Sequence, residues 1–138
     1  MIAYVDSSVV LRIVLGQQGS LAEWTEITKG VASQLVETEC LRTLDRVRIA
    51  QRASQEELAP RFEAVYRLLE EVEQVEVSGS ILRRAGTPVG SPLGTLDAIH
   101  LATAELWRDT TGQDLAFATH DRALALAARA SGFRVLGV

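Results

Sequence analysis

Residues 2–15, IAYVDSSVVLRIVL, decide the fold class. Ile2–Val5 is a short apolar run of strand type, Asp6 ends it, and a helical pattern runs from Ser8 to Leu15. A strand that hands an acid to the start of a helix is the opening unit of a parallel α/β fold. Such folds gather the ends of their strands, with the loops that follow them, along one edge of the sheet.

The same grammar recurs three times. Glu39 lies in VETECLRTL (36–44), Asp97 in GTLDAIHLATA (94–104) and Asp121 in FATHDRALALAA (117–128), each at or near a predicted helix start. Four carboxylates brought together without a matching set of lysines call for a hard divalent cation. Two carboxylates about 4 Å apart repel by about 4 kcal/mol at an effective dielectric of 20, so a converging set needs a cation or retained protons. Mg²⁺ or Mn²⁺ held this way is a common engine of phosphodiester chemistry.

Each acid has a structural alternative. Asp6 can cap the helix behind it. Asp97 and Asp121, two residues after Thr95 and Thr119, fit the first turn of threonine-capped helices, where a carboxylate gains about 0.3–1 kcal/mol from the helix dipole. Glu39 sits within its helix, about 100° from the apolar stripe of Val36, Cys40, Leu44 and Val47. Arg42 and Arg46 share its face, either as a solvated surface or as phosphate contacts beyond the metal. Glu37 projects from the opposite flank and is the substitute if the facing is reversed. Ser8 and Thr119 either cap helices or orient the acids through their hydroxyls. His100 is either an internally bonded helix histidine or a contact to substrate or a neighbouring carboxylate; no role is assigned to His120.

The rest of the chain reads as alternating strands and helices. Gly16–Ser20 is a turn and Leu21–Ile27 a short helix. Val31–Ser33 is a strand, with a long helix from Val36. Ser54–Glu57 has the form of a capping box. The helix it opens carries Phe62, Val65, Tyr66, Leu69 and Val72, with Pro60 kinking it or marking its true start. Val75–Val77 is a third strand and Gly86–Gly94 an extended loop. A helix over Leu96–Arg108, a strand at Leu115–Ala118, a helix over Asp121–Ala130 and a strand at Arg134–Leu136 complete a mostly parallel sheet covered on both faces. We expect one domain over residues 1–138.

Composition narrows the function. Hydrophobic residues make up 47% of the chain, enough for a core rather than disorder. No apolar run approaches the ~18 residues of a membrane span, and Met1 leads straight into the first strand without a basic segment, so the expected compartment is the cytoplasm. Cys40, the one cysteine, falls on an apolar helix face and reads as a buried thiol. The net charge of −4 argues against a generic basic nucleic-acid surface, yet two divalent cations would offset all of it. The basic residues are arginine throughout except Lys29, a composition suited to bidentate phosphate contact. Trp24 and Trp107 read as core or dimer-contact aromatics, and Arg12, Arg48 and Arg52 as helix-solvating residues or the walls of an RNA path. No Ser/His/Asp or Cys/His pattern and no phosphate-binding glycine motif is present.

VDSSVVLRI at the amino terminus, ECLR at Glu39, LDAIHLATA around Asp97 and the TxD ahead of an alanine-rich helix together resemble the PIN-domain family. In detail they are similar to the VapC-type ribonuclease toxins of prokaryotic toxin–antitoxin pairs. The similarity spans Asp6 to Val138, and LDAIHLA is its most specific part. The resemblance implies a three-layer α/β/α fold with a short, mostly parallel central sheet. It also implies an Mg²⁺- or Mn²⁺-dependent endoribonuclease, a homodimer, and a cognate antitoxin that occludes the site. Carried onto this chain, the acidic set is Asp6, Glu39, Asp97 and Asp121, all metal-binding and catalytic. A non-catalytic PIN-like module that binds RNA or protein is the alternative.

Overall fold

A computed structural model describes all 138 residues. In chain order the elements are β1 (Ile2–Val5), α1 (Ser7–Val14), a 3-10 turn (Ala22–Glu26), β2 (Lys29–Ser33), α2 (Leu35–Ala50), α3 (Gln55–Glu70), β3 (Val72–Val75), α4 (Gly79–Ala85), α5 (Thr95–Thr111), β4 (Ala116–Ala118), α6 (Arg122–Ala130) and β5 (Val135–Leu136). The five strands form one sheet in the order β3-β2-β1-β4-β5, and every neighbouring pair is parallel. No helix is long and apolar enough to cross a membrane.

Strand residues alternate between two cores, as the period of 2 demands. Ala3, Val5, Ala32, Ala116 and Ala118 pack with α1, α2 and α3 through Val9, Val10, Cys40, Leu44 and Val65. Tyr4, Val31 and Phe117 point to the other face and meet α5 and α6 through Leu101, Trp107, Leu124 and Ala128. The result is an α/β/α arrangement. Because β1 lies buried between two neighbours, its residues 3–5 are fully inaccessible. That burial explains the near-continuous apolar run at the amino terminus.

The expected elements are present with three differences. Val72 opens β3 rather than closing α3: it pairs with Gly30, and β3 ends at Val75 where Val77 was expected. The helical spacing 62-65-69-72 continues by coincidence across the helix end. Pro60 lies inside α3, which starts at Gln55 after a complete Ser54–Glu57 capping box, so the proline does not mark its start. α4 was not anticipated. It is capped by Ser78, whose Oγ accepts from Ile81 N, and it packs through Ile81 on Ile99 and Ala102 of α5.

At the amino-terminal edge of the sheet the chain's two kinds of amine are both engaged. The Met1 α-ammonium donates to Glu26 O at 2.8 Å. Lys29 pairs with Glu73 at 2.6 Å and lies 5.4 Å from the Trp107 ring centroid. Trp107 also donates its Nε1–H to Glu73, so it is a buried core aromatic with a satisfied polar end. Trp24 is a partly buried neighbour of the first core.

At the opposite edge the last residues of the chain fold back on the β4 terminus. Gly137 has φ +97°, and a Cβ built there would stand 2.5 Å from the Thr119 carbonyl oxygen. Both backbone conformation and space therefore require glycine. Gly137→Ala is expected to lower unfolding stability by about 1–3 kcal/mol or more, strain and clash adding. A urea titration reads this as an earlier midpoint at unchanged slope; an unchanged midpoint would show the closing segment to be free.

Candidate active site

The chain runs outward from β1 to β2 and β3, then crosses back to β4 and β5. Between β1 and β4 the direction of winding reverses, and open α/β sheets bind ligands at such a crevice beyond the strand carboxyl ends. Asp6 follows β1 and Thr119 follows β4, and Asp6 N–H donates to Ala118 O at 3.2 Å across this seam. Glu39, in the second turn of α2, Asp97, in the first turn of α5, and Asp121, ahead of α6, all belong to segments that start at the same edge.

Asp6 is 4% exposed and heavily bonded. Its Oδ1 accepts from Ser8 N, Val9 N and Ser8 Oγ, the last at 2.6 Å. Its Oδ2 accepts from Thr119 Oγ1 at 2.7 Å. Capping and acid-orienting roles therefore coexist in one side chain. Burial pushes the Asp6 carboxyl above its usual range, and the Ser8 and Thr119 hydroxyls pull it back. Ser8 and Thr119 are orienting groups more than caps. Ser8 Oγ also accepts His120 N–H, and Thr119 Oγ1 accepts Asp121 N–H at 3.0 Å. Asp121 itself, not Thr119, is the N-cap of α6, its Oδ1 accepting from Leu124 N at 2.8 Å.

Asp97 differs from its neighbours. α5 is capped by Gly94 with no side-chain bond, so Thr95 is not the cap and Asp97 is the third helical residue. Half-burial raises its carboxyl above the usual range, and the charges of Asp121, Asp6 and Glu39 raise it further, opposed by His100. Asp97 thus feels both its half-burial and the charges of the other three acids.

Glu39 turns inward, toward His100, which decides between the two facings its helix position left open. Its Oε1 lies 2.5 Å from His100 Nε2 and its Oε2 3.4 Å from Ser7 Oγ. Ser7, Leu35, Thr38, Arg42, Arg46 and Leu96 continue from Glu39 into a surface cleft of about 300 Å³. Arg42 and Arg46 are in this cleft, bonded to Asp45 and Thr43. Glu37 does not line it. Arg12 and Arg48 are tied down elsewhere, by Gly19 O and by Asp45. Cys40 is buried beneath, its thiol pushed up to about 12 by burial and by the charges of Glu39 and Asp6, which makes it a poor nucleophile. His100 was the residue whose role the sequence left open; it is fully enclosed and joins Glu39 to Tyr4. Tyr4 carried no signal beyond strand hydrophobicity.

The four acids share one edge and act on one another electrostatically, yet no three of the acidic, histidine and cysteine side chains stand together as a ready-made metal cage. Asp6, Glu39 and Asp121 are each held by hydrogen bonds to neighbouring groups. The donor chemistry still fits magnesium, which keeps several waters and takes one or two carboxylates.

A parallel sheet in this order, with carboxylates ranged along its crossover edge, defines an α/β protein with an acidic crevice at the strand ends. A family model described as the PIN domain matches residues 3–130, and the chain belongs to that family. Among solved structures the fold is similar to a toxin–antitoxin complex from Klebsiella pneumoniae (TM-score 0.65, 17% identity, 89% of this chain and 90% of that one). It is also similar to PAE2754 from Pyrobaculum aerophilum (0.62, 18%, 97% and 89%). A third is VapBC2 from Rickettsia felis bound to a DNA fragment from their promoter (0.66, 12%, 98% and 97%). None of the curated proteins matches the sequence.

The raised carboxyl of Asp97 has a consequence for stability. An acid that holds its proton more tightly folded than unfolded contributes least above its folded pKa, and its cost disappears as pH falls below the unfolded value. Asp97→Asn is expected to raise the Tm of the protein in EDTA at pH 7, with the gain shrinking as pH drops through the carboxyl range. A variant that melts lower at pH 7 would show that Asp97 is satisfied without a cation.

Proposed function

We propose that the chain is a divalent-metal-dependent endoribonuclease, the toxin of a type II toxin–antitoxin pair, acting in the cytoplasm as a single domain. The observation that carries the reading is Asp97: a carboxyl raised first by its half-burial and then by three neighbouring acids at the crossover crevice of a PIN fold. The toxin–antitoxin complex and VapBC2 among its structural relatives support the partner assignment.

Asp6 and Asp97 are the principal ligands for Mg²⁺ or Mn²⁺, with Glu39 and Asp121 completing the set directly or through water. The chemistry a bound Mg²⁺ or Mn²⁺ would supply at these residues is activation of a water and neutralisation of charge on the leaving oxygen. Ser8 and Thr119 fix the Asp6 carboxylate, and Thr119 ties Asp121 to it, so the acids need not reorganise during reaction. Arg42 and Arg46 place positive charge along the cleft from Glu39, where an RNA backbone would run. Water as nucleophile would leave 5′-phosphate and 3′-hydroxyl ends. A homodimer and a cognate antitoxin covering the crevice complete the reading.

The absence of a ready-made three-ligand group favours one rival, a PIN-like module that binds RNA or protein without cutting. Incubation with total RNA and Mn²⁺ separates the two. Cleavage is expected, abolished by EDTA and by Asp6→Asn or Asp97→Asn in protein that remains folded. Arg42→Ala with Arg46→Ala should mainly raise KM and flatten the salt dependence of binding. A fully active Asp97→Asn would sink the assignment, as would RNA binding without cleavage and no rise in Tm on adding Mn²⁺.

A further inference from the structure

His100 stands 61 positions from Glu39 and 96 from Tyr4, yet its ring bridges them. Its side chain is 1% exposed. Tyr4 Oη accepts the Ser33 N–H at 3.2 Å and stands 2.6 Å from His100 Nδ1, within reach of its own hydrogen. A ring that accepts at Nδ1 carries its hydrogen on Nε2. That hydrogen points at Glu39 Oε1, 2.5 Å away. Tyr4 cannot swing to another partner, since it stacks on Phe117 at 4.9 Å within the second core. Thr103, the nearby hydroxyl on α5, gives its own hydrogen to Ile99 O.

The three side chains therefore run as one line of hydrogen bonds from the middle of the sheet to the rim of the crevice. Its far end holds one oxygen of Glu39 and leaves Oε2, touched only by the long 3.4 Å contact from Ser7 Oγ, turned to the site. Glu39 sits on α2, whose own contacts fix its backbone but not the torsions of a three-carbon side chain.

We propose that His100 is a positioning residue, which, anchored through Nδ1 by Tyr4, fixes the Glu39 carboxylate through Nε2–H so that Oε2 is presented to the catalytic edge. The proposal rests on the nuclease reading above. Partners of this kind, bonded to a ligand rather than to the reacting atoms, typically govern metal affinity or activity by about 10–100-fold.

His100→Met removes the donor with a side chain of similar reach and is expected to lower kcat on a single-stranded oligoribonucleotide by about 10-fold or more, with KM changed far less. Calorimetry with MnCl₂ on the same protein should show Kd weakened over the same range. His100→Gln, which returns an N–H near the Nε2 position, should recover a substantial part of both. Tyr4→Phe carries the test if His100→Met does not fold. Two-bond proton–nitrogen spectra of the wild type should show Nε2 protonated and Nδ1 bare, and Tyr4→Phe should allow the tautomers to mix. Folded His100→Met with unchanged kcat and Mn²⁺ affinity, beside an active wild type, overturns the positioning role alone, as does a ring protonated on Nδ1. A wild type that neither cuts RNA nor binds Mn²⁺ overturns the nuclease reading, and the positioning role with it.

Discussion

Burying the Asp6 carboxyl at the seam between β1 and β4 is the constraint around which this molecule is arranged. A carboxylate taken out of water without partners costs several kcal/mol. Here Ser8, Val9 and Thr119 supply the missing donors, and they come from opposite ends of the chain. Thr119 can donate only if β4 lies directly beside β1, and β4 lies there only because the chain crosses the whole sheet after β3. The site and the topology are thus one commitment: the strand order brings the donors, and the donors make the buried acid tolerable.

The other acids are graded by how far they share in that commitment. Asp121 is bound to the Asp6 cluster through Thr119 and to its own helix through Leu124. Glu39 is bound to the interior through His100. Asp97 has charges around it rather than donors, and it is where an incoming cation would relieve the most repulsion. Three restrained carboxyls and one strained by its neighbours suit an ion that keeps much of its own water. They suit less well a metal that demands a closed cage.

Much of this was legible in the chain. The apolar run ending at Asp6, the capping box at Ser54 and the LDAIHLATA helix start all follow from spacing alone, whereas spacing left the facing of Glu39 open. What escaped did so for definite reasons. α4 has seven residues with one buried side chain, Ile81, too few for a helical period to show. Val72 satisfied a helical spacing and a strand equally, and only pairing with Gly30 decided between them. Thr119 looked like a cap because sequence displays neighbours along the chain, whereas its hydroxyl answers to Asp6 at the other terminus. The link from Tyr4 through His100 to Glu39 is a fact about three elements meeting in the interior. No local pattern encodes it.

The amines at the far edge of the sheet also matter for handling the protein. Met1 and Lys29 carry all the primary amine the chain possesses, and both lie at the start of neighbouring parallel strands, remote from the crevice at the strands' other ends. Coupling the protein to a support through its amines would therefore attach it in a single orientation, with the acidic rim turned toward solution.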